Sequence, residues 1–284
     1  MGELGYISKS QDNLNIAYNN LEEYLADLKK ALTTDHPRYK TLGTKVGDEY
    51  IQLNTAIIQI ENEYYSSIRP KRLVGSGERP INALRENGIE YVEIRALDNN
   101  IYDPFGISDE TAIFLESFLF YCLLCEDQPC DADEIIKIQN NWGKVVLSGR
   151  DENTELQFKE GSAPLKERAI EILDAMTNFE DRIGDLGYRN IYKKSLESQR
   201  LKISDSNMTP SGKLLQDITE SGLSWDEYTD QIAKSHKEEI LKSKRDVDYL
   251  EEQAKKSLEE FSIKETQKEK DFDSFLAEYL SAIE

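Results

Sequence analysis

The chain has 284 residues, with 55 acidic against 35 basic side chains and a formal net charge of −20. Such a balance argues against a nucleic-acid or anionic-membrane partner, because phosphate-bearing surfaces are bound by broad basic faces. Its length suits one or two domains with a sizeable core, while a mean hydropathy of −0.63 marks a polar protein.

No apolar run of signal-peptide type follows Met1, and Tyr6 stands where an N-myristoylation motif needs Ser or Thr. The longest apolar run, Phe118–Cys125, is too short for a bilayer, which takes about 20 residues. A cytoplasmic location is the expectation.

Leu4–Tyr18 is polar and irregular and reads as a loop or short strand. Asn20 is placed to cap a helix through about Leu32. Leu21, Leu25, Leu28 and Leu32 fall on one stripe, and Glu22 and Glu23 suit the positive N-terminus. His36-Pro37 ends that helix. Val46-Gly47-Asp48-Glu49 reads as a tight turn into a strand over Tyr50–Tyr65.

Within it, Leu53–Tyr65 alternates apolar and polar residues, and Ile89–Asp98 does the same, which is the period of a half-buried strand. The intervening Ser66–Asn87 reads as a linker rich in Gly, Pro and cations. Its Gly75-Ser76-Gly77 lacks Walker spacing and reads as a turn, and Asn82–Glu86 reads as a short helix.

Beyond Pro104 the period becomes helical. Ser108 caps an apolar helix over about Thr111–Leu124, expected to be buried on most sides. Amphipathic helices follow over Ala132–Leu147, with Trp142, and over Pro164–Arg182. Gly184 and Gly187 punctuate before a helix at Tyr188–Lys202. Thr209 or Ser211 caps another that stops at Gly222. From Ser224 a charged helical region runs almost to Glu284. Its sparse apolar residues, among them Ile232, Ile240, Val247, Leu250, Leu258 and Phe261, suggest a solvated tail packing through one stripe.

Cys122, Cys125 and Cys130 lie close together, without a nearby fourth ligand for zinc, and read as core thiols. His36 and His236 are the only histidines, so Ser-His or Cys-His catalysis has little material. Chemistry here should run on carboxylates, arginines and metal ions.

The first half supplies them. Arg69, Lys71, Arg72, Arg79, Arg85 and Arg95 cluster within one stretch of an acidic chain. On a strand, Tyr91, Glu93, Arg95 and Leu97 share one face, so a carboxylate and a guanidinium project side by side. Cations mixed with strand carboxylates suggest a metal-bound phosphate, with Mg²⁺ taking carboxylate and phosphate oxygens and arginine neutralising the rest. The alternative is that Glu and Arg simply pair across strands.

Three segments carry a resemblance: LGYISKSQDNL at Leu4–Leu14, QIENEYYSSIRPKR at Gln59–Arg72 and GIEYVEIRALD at Gly88–Asp98. In this order and spacing the chain resembles the C-terminal portion of proteobacterial-type glutamate–cysteine ligases, with weaker similarity continuing through Trp142. The resemblance implies an α+β fold: part of a glutamine-synthetase-like antiparallel sheet in residues 1–105, then a mostly helical region in 106–284.

It also implies ATP-dependent joining of the γ-carboxylate of L-glutamate to the amine of L-cysteine through a γ-glutamyl phosphate, with ATP and Mg²⁺ as cofactors. By motif position Glu93 becomes a metal ligand and Arg95 a catalytic contact to ATP phosphates, with Arg69 and Arg72 as further ATP-side cations. Tyr6 and Tyr65 become walls of the cysteine pocket. Glu61 and Glu63 fit the pattern without an assigned role. The resemblance begins in mid-family, past the region that holds most metal carboxylates in family members, and whether the chain is a split subunit working with a separate N-terminal half or a piece of a longer protein stays open. A catalytically incomplete binding module, or a ligase with another amine acceptor, stays open.

Overall fold

The computed structural model describes residue 11 and residues 14–183, 189–242, 247–266 and 270–283. The fold is α+β: helices dominate, and the described strands form three small antiparallel pairs. Two compact units emerge, one of residues 3–97 with 245–284 and the other of residues 98–244. The segment 245–284 thus groups with residues 3–97, which hold the β-pairs of the first half of the chain.

In the first unit α1 (Leu21–Thr33) begins where the capping signal places it, with Asn20 Oδ1 accepting from Glu23 N at 2.8 Å. Its stripe buries Tyr24, Leu25, Leu28 and Leu32. Pro37 opens α2 (Pro37–Leu42). Lys45–Val46 (β1) and Glu49–Tyr50 (β2) form the expected tight turn, Gly47 taking the positive φ of 65° that disfavours any side chain.

Leu53–Tyr65 is not a strand. Local polar side chains capture its backbone instead: Asn54 Oδ1 accepts from Ala56 N at 2.8 Å, Gln59 Oε1 from Leu53 N at 2.7 Å, and Glu63 Oε2 from Gln59 N at 2.7 Å. These bonds compete with a sheet ladder and bend the chain into turns and a 3₁₀ turn at Glu61–Glu63. The first strand of the pair lies later, at Ile68–Lys71 (β3), inside the segment read as a linker. Pro70 and the cations hid it, yet proline is tolerated in a two-stranded pair, where every strand is an edge.

Pro80–Asn87 (α3) brackets the expected short helix and leads to Tyr91–Ile94 (β4). Ile58, Ile81 and Leu84 pack with the α1 stripe and Tyr64 into one core. Each such fully buried aliphatic side chain contributes about 1.5–3 kcal/mol.

In the second unit α4 (Asp109–Leu124) starts at Ser108, whose Oγ accepts from Thr111 N. The expectation that it is buried on most sides fails. Its Phe114, Phe118 and Tyr121 stripe packs on the core, while Leu123 and Leu124 stay 75% and 64% exposed. The core-thiol expectation fails with it: Cys122 faces solvent, Cys125 and Cys130 are half-buried, and none of the three is in a disulfide.

Next comes α5 (Ala132–Ser148), whose Lys137, Asn141 and Lys144 bond to carbonyls of a hairpin the sequence reading missed: β5 (Glu155–Phe158) and β6 (Gly161–Pro164). The polar stripe is thereby the packed one, and Ile136, Ile138 and Leu147 are exposed. Leu173 and Met176 of α6 (Leu165–Ile183) and Leu196 of α7 (Arg189–Ser204) complete the core. Gly184, Gly187 and Tyr188 lie outside the described residues. Thr209, not Ser211, caps α8 (Pro210–Ser221), and Gly222 ends it at φ 68°.

The charged region is three described helices: α9 (Trp225–Lys242), α10 (Val247–Thr266) and α11 (Phe272–Ser281). A stripe packed along α10 is not found, for Val247, Leu250, Leu258 and Phe261 are all exposed. Leu276 of α11 is buried in the first unit. Among the described residues, no helix is long and apolar enough to cross a membrane.

Candidate functional site

The β3–β4 hairpin sets Arg69 opposite Glu93 and Lys71 opposite Tyr91. The pairing runs past β4, because Arg95 N donates to Ser67 O at 2.7 Å. Strand alternation then puts Arg69, Lys71, Glu93 and Arg95 on one face, three cations around a carboxylate.

Arg69 is buried and fully engaged. Its Nη2 and Nε donate to Glu93 Oε2 at 2.6 and 3.1 Å, and its Nη1 donates to Tyr64 O at 3.1 Å. Partial burial works to raise the Glu93 carboxyl. The Arg69 hydrogen bonds and charge, helped by Lys71 and Arg95, outweigh it and hold the group below its usual range. Glu93 is thus kept ionised, the state that could accept a metal ion or a cation.

Arg72 donates to Asn87 O and Gly88 O at 2.7 and 3.0 Å, neutralising the negative C-terminal end of α3. Arg95 differs from both. It is exposed, its guanidinium lies 4.8 Å over the Tyr65 ring, and no described carboxylate stands within ion-pair distance of it. The hairpin therefore brings Glu93, Arg69, Arg95 and Tyr65 together and turns Arg72 to another task. Tyr6 lies outside the described residues.

Sequence reasoning passed over Tyr18, whose hydroxyl donates to Ile68 O at 2.9 Å and lies 2.8 Å from Ser66 Oγ, pinning the base of β3. Nothing periodic around Tyr18 marks it. Tyr64 packs beside it, and burial first, then the neighbouring Tyr18, pushes its phenol far up.

Glu61 pairs with Arg79 at 3.0 Å in the interior, so it supports the fold. Glu63 accepts from Gln59 N in the local turn. Among the described residues no three His, Cys, Asp or Glu side chains come together to hold a metal ion. Glu93 fits Mg²⁺ in kind, as an ionised oxygen donor, and supplies a single carboxylate.

A pH experiment tests the pairing. Because the folded-state pKa of Glu93 is depressed, its stabilisation is complete above the unfolded value and is lost as pH falls through the folded one. The stability gap between the wild type and Glu93→Gln should therefore close on acidification from neutral pH. A gap constant from neutral pH down through the acid range, followed by urea unfolding, would contradict it.

A family profile described as glutamate-cysteine ligase matches residues 1–145. The glutamate–cysteine ligase of Pseudomonas fluorescens is 37% identical across 100% of this chain and 54% of its own length. That of Alcanivorax borkumensis is also 37% identical, across 98% of this chain and 55% of its own length. Among solved structures, Francisella tularensis glutamate–cysteine ligase in complex with AMP superposes with a TM-score of 0.88 at 30% identity, covering 97% of this chain and 55% of that one. The chain thus spans about half the length of the relatives it matches. Over that span, this chain belongs to the glutamate–cysteine ligase family.

Proposed function

We propose that this chain carries the triphosphate-facing and cysteine-facing part of an ATP-dependent ligase that joins the γ-carboxylate of L-glutamate to the amine of L-cysteine. The observation that carries the reading is Arg95: an exposed cation with no ion-pair partner among the described residues, one strand step from an ionised Glu93. The Francisella tularensis relative in complex with AMP supports the nucleotide side.

The glutamate γ-carboxylate oxygen attacks the γ-phosphorus of ATP and ADP leaves. The cysteine amine then attacks the acyl carbon of the γ-glutamyl phosphate, expelling phosphate and losing a proton. Such chemistry needs alignment and charge neutralisation more than a strong base. Arg95 contacts the phosphate oxygens, Arg69 holds Glu93 ionised and in register, and Glu93 would hold Mg²⁺. That ion, when bound, spreads the negative charge of the phosphates. Tyr65, which lies beneath Arg95, walls the cysteine side, a role the sequence motif assigns to Tyr6 as well. Arg72 acts on the phosphates only indirectly, by fixing α3. We place this work in the cytoplasm.

The absence of a three-ligand metal cluster among the described residues favours completion by the remaining half of the enzyme. Phosphate release with ATP, Mg²⁺, glutamate and cysteine should appear when that half of the Pseudomonas fluorescens relative is added as a separate chain. Silence both with and without it removes the ligase reading and leaves a binding module.

A further inference from the structure

We infer that the second unit holds a binding site for a small carboxylate with an aliphatic body, separate in its residues from the hairpin site. A cavity of about 410 Å³ opens among α4, α6, α7 and the turn before α8. That volume lies within the range of small-molecule pockets, roughly 300–1,000 Å³. Its walls are mostly apolar, with Phe114, Phe118, Ala169, Leu173 and Ile203 presenting hydrocarbon.

The polar part of the lining has one sign. Arg150, Lys166 and Lys202 line the cavity and, among the described residues, no carboxylate does, in a chain whose net charge is −20. Lys166 is tied to Glu152 at 2.8 Å. Lys202 is not so tied: its Nζ donates to Gln199 Oε1 at 3.3 Å, and no described carboxylate lies within ion-pair distance of it. Gln199, also in the wall, keeps its amide Nε2 buried and without a hydrogen-bond partner. A half-buried ammonium without a counter-charge beside an amide N–H without an acceptor is costly to leave so.

Burial pushes the Lys202 amine below its ordinary range, only partly offset by the charge of Glu110, as expected of a cation short of a counter-charge. A ligand carboxylate supplies acceptor and counter-charge together, and its aliphatic chain covers the phenylalanine and leucine walls. An alcohol of equal length offers the chain without the charge, and an alkylammonium meets three cations.

Titration calorimetry on the whole chain with decanoate, decan-1-ol and decyltrimethylammonium, all below their micelle concentrations, separates these. Decanoate should bind one to one and at least tenfold more tightly than the alcohol, and the alkylammonium should not bind. Lys202→Gln should erase the preference for decanoate over decan-1-ol while leaving the helical circular-dichroism signal unchanged. Ala169→Phe, which fills the cavity, should abolish binding of both. Unsaturable uptake of decanoate, equal affinity for acid and alcohol, or an unchanged preference in Lys202→Gln would each overturn the site. Should Ala169→Phe fail to fold, the Lys202→Gln comparison decides alone, since Lys202 is partly solvent-accessible and its loss leaves the core intact.

Discussion

Replacing Arg79 with alanine should lower the stability of the first unit by about 3–5 kcal/mol, the usual cost of leaving a buried charge without its partner. The Arg79 side chain is 0% and the Glu61 side chain 5% exposed, and they meet at 3.0 Å. Arg79 also lies 4.2 Å over the Tyr279 ring and donates to Tyr279 O at 3.4 Å, so its loss frees the inner face of α11. Glu61→Ala should cost a similar amount. The pair itself is imperfect, because Glu61 Oε2 and Arg79 Nη2 are buried without hydrogen-bond partners. Removing both charges, as in Glu61→Leu with Arg79→Met, should therefore recover most of either single loss. Urea unfolding of the wild type, Glu61→Leu, Arg79→Met and the double variant measures this. Strictly additive single losses in the double variant would mean that the two side chains are not energetically coupled.

Arg69 and Arg95 should separate in a second experiment. Under the proposed function Arg95→Ala should weaken ATP binding, with the remaining portion of the Pseudomonas fluorescens relative supplied as a separate chain, by about tenfold to a hundredfold. That is the worth of a charged hydrogen bond, roughly 1.5–3 kcal/mol. Its unfolding midpoint should barely move, since an exposed cation–π contact contributes only about 0.5–1 kcal/mol. Arg69→Ala should do the reverse first, destabilising the hairpin by about 1–3 kcal/mol as the Tyr64 carbonyl and Glu93 lose their donor. Unaltered ATP affinity in Arg95→Ala, read by calorimetry, would remove that residue from the nucleotide site.

The helices were legible because their signals are local. Asn20, Ser108, Thr209 and Gly222 end elements by bonds or dihedrals that a short window of sequence already contains. The hairpin was half legible. Glu93 and Arg95 alternate on a readable strand, but their partner Ile68–Lys71 carries a proline and looked like a connection. Leu53–Tyr65 misled for the opposite reason: its alternation is genuine, yet Asn54, Gln59 and Glu63 turn inward on their own backbone. No pattern reveals that choice before neighbours are in place. The burial errors at α4 and Cys122 share a cause. Hydrophobicity tells how much a helix could bury, while the number of partners decides how much it does. Arg69 and Arg95 look alike in sequence, and only the pairing register separates the engaged guanidinium from the available one.

The clasp between α3 and α11 has a bearing on biosynthesis. Asn82 Nδ2 donates to Ala282 O at 2.5 Å, and Ile283 packs against the α1–α3 core, across a separation of 200 residues. Contacts so remote along the chain close only after a large entropic search. On the ribosome the second unit emerges complete while the first still waits for its last helix. Nascent chains halted before Phe272 should therefore expose Arg79 and its apolar neighbours to chaperones, which crosslinking to a chaperone on stalled ribosomes would read.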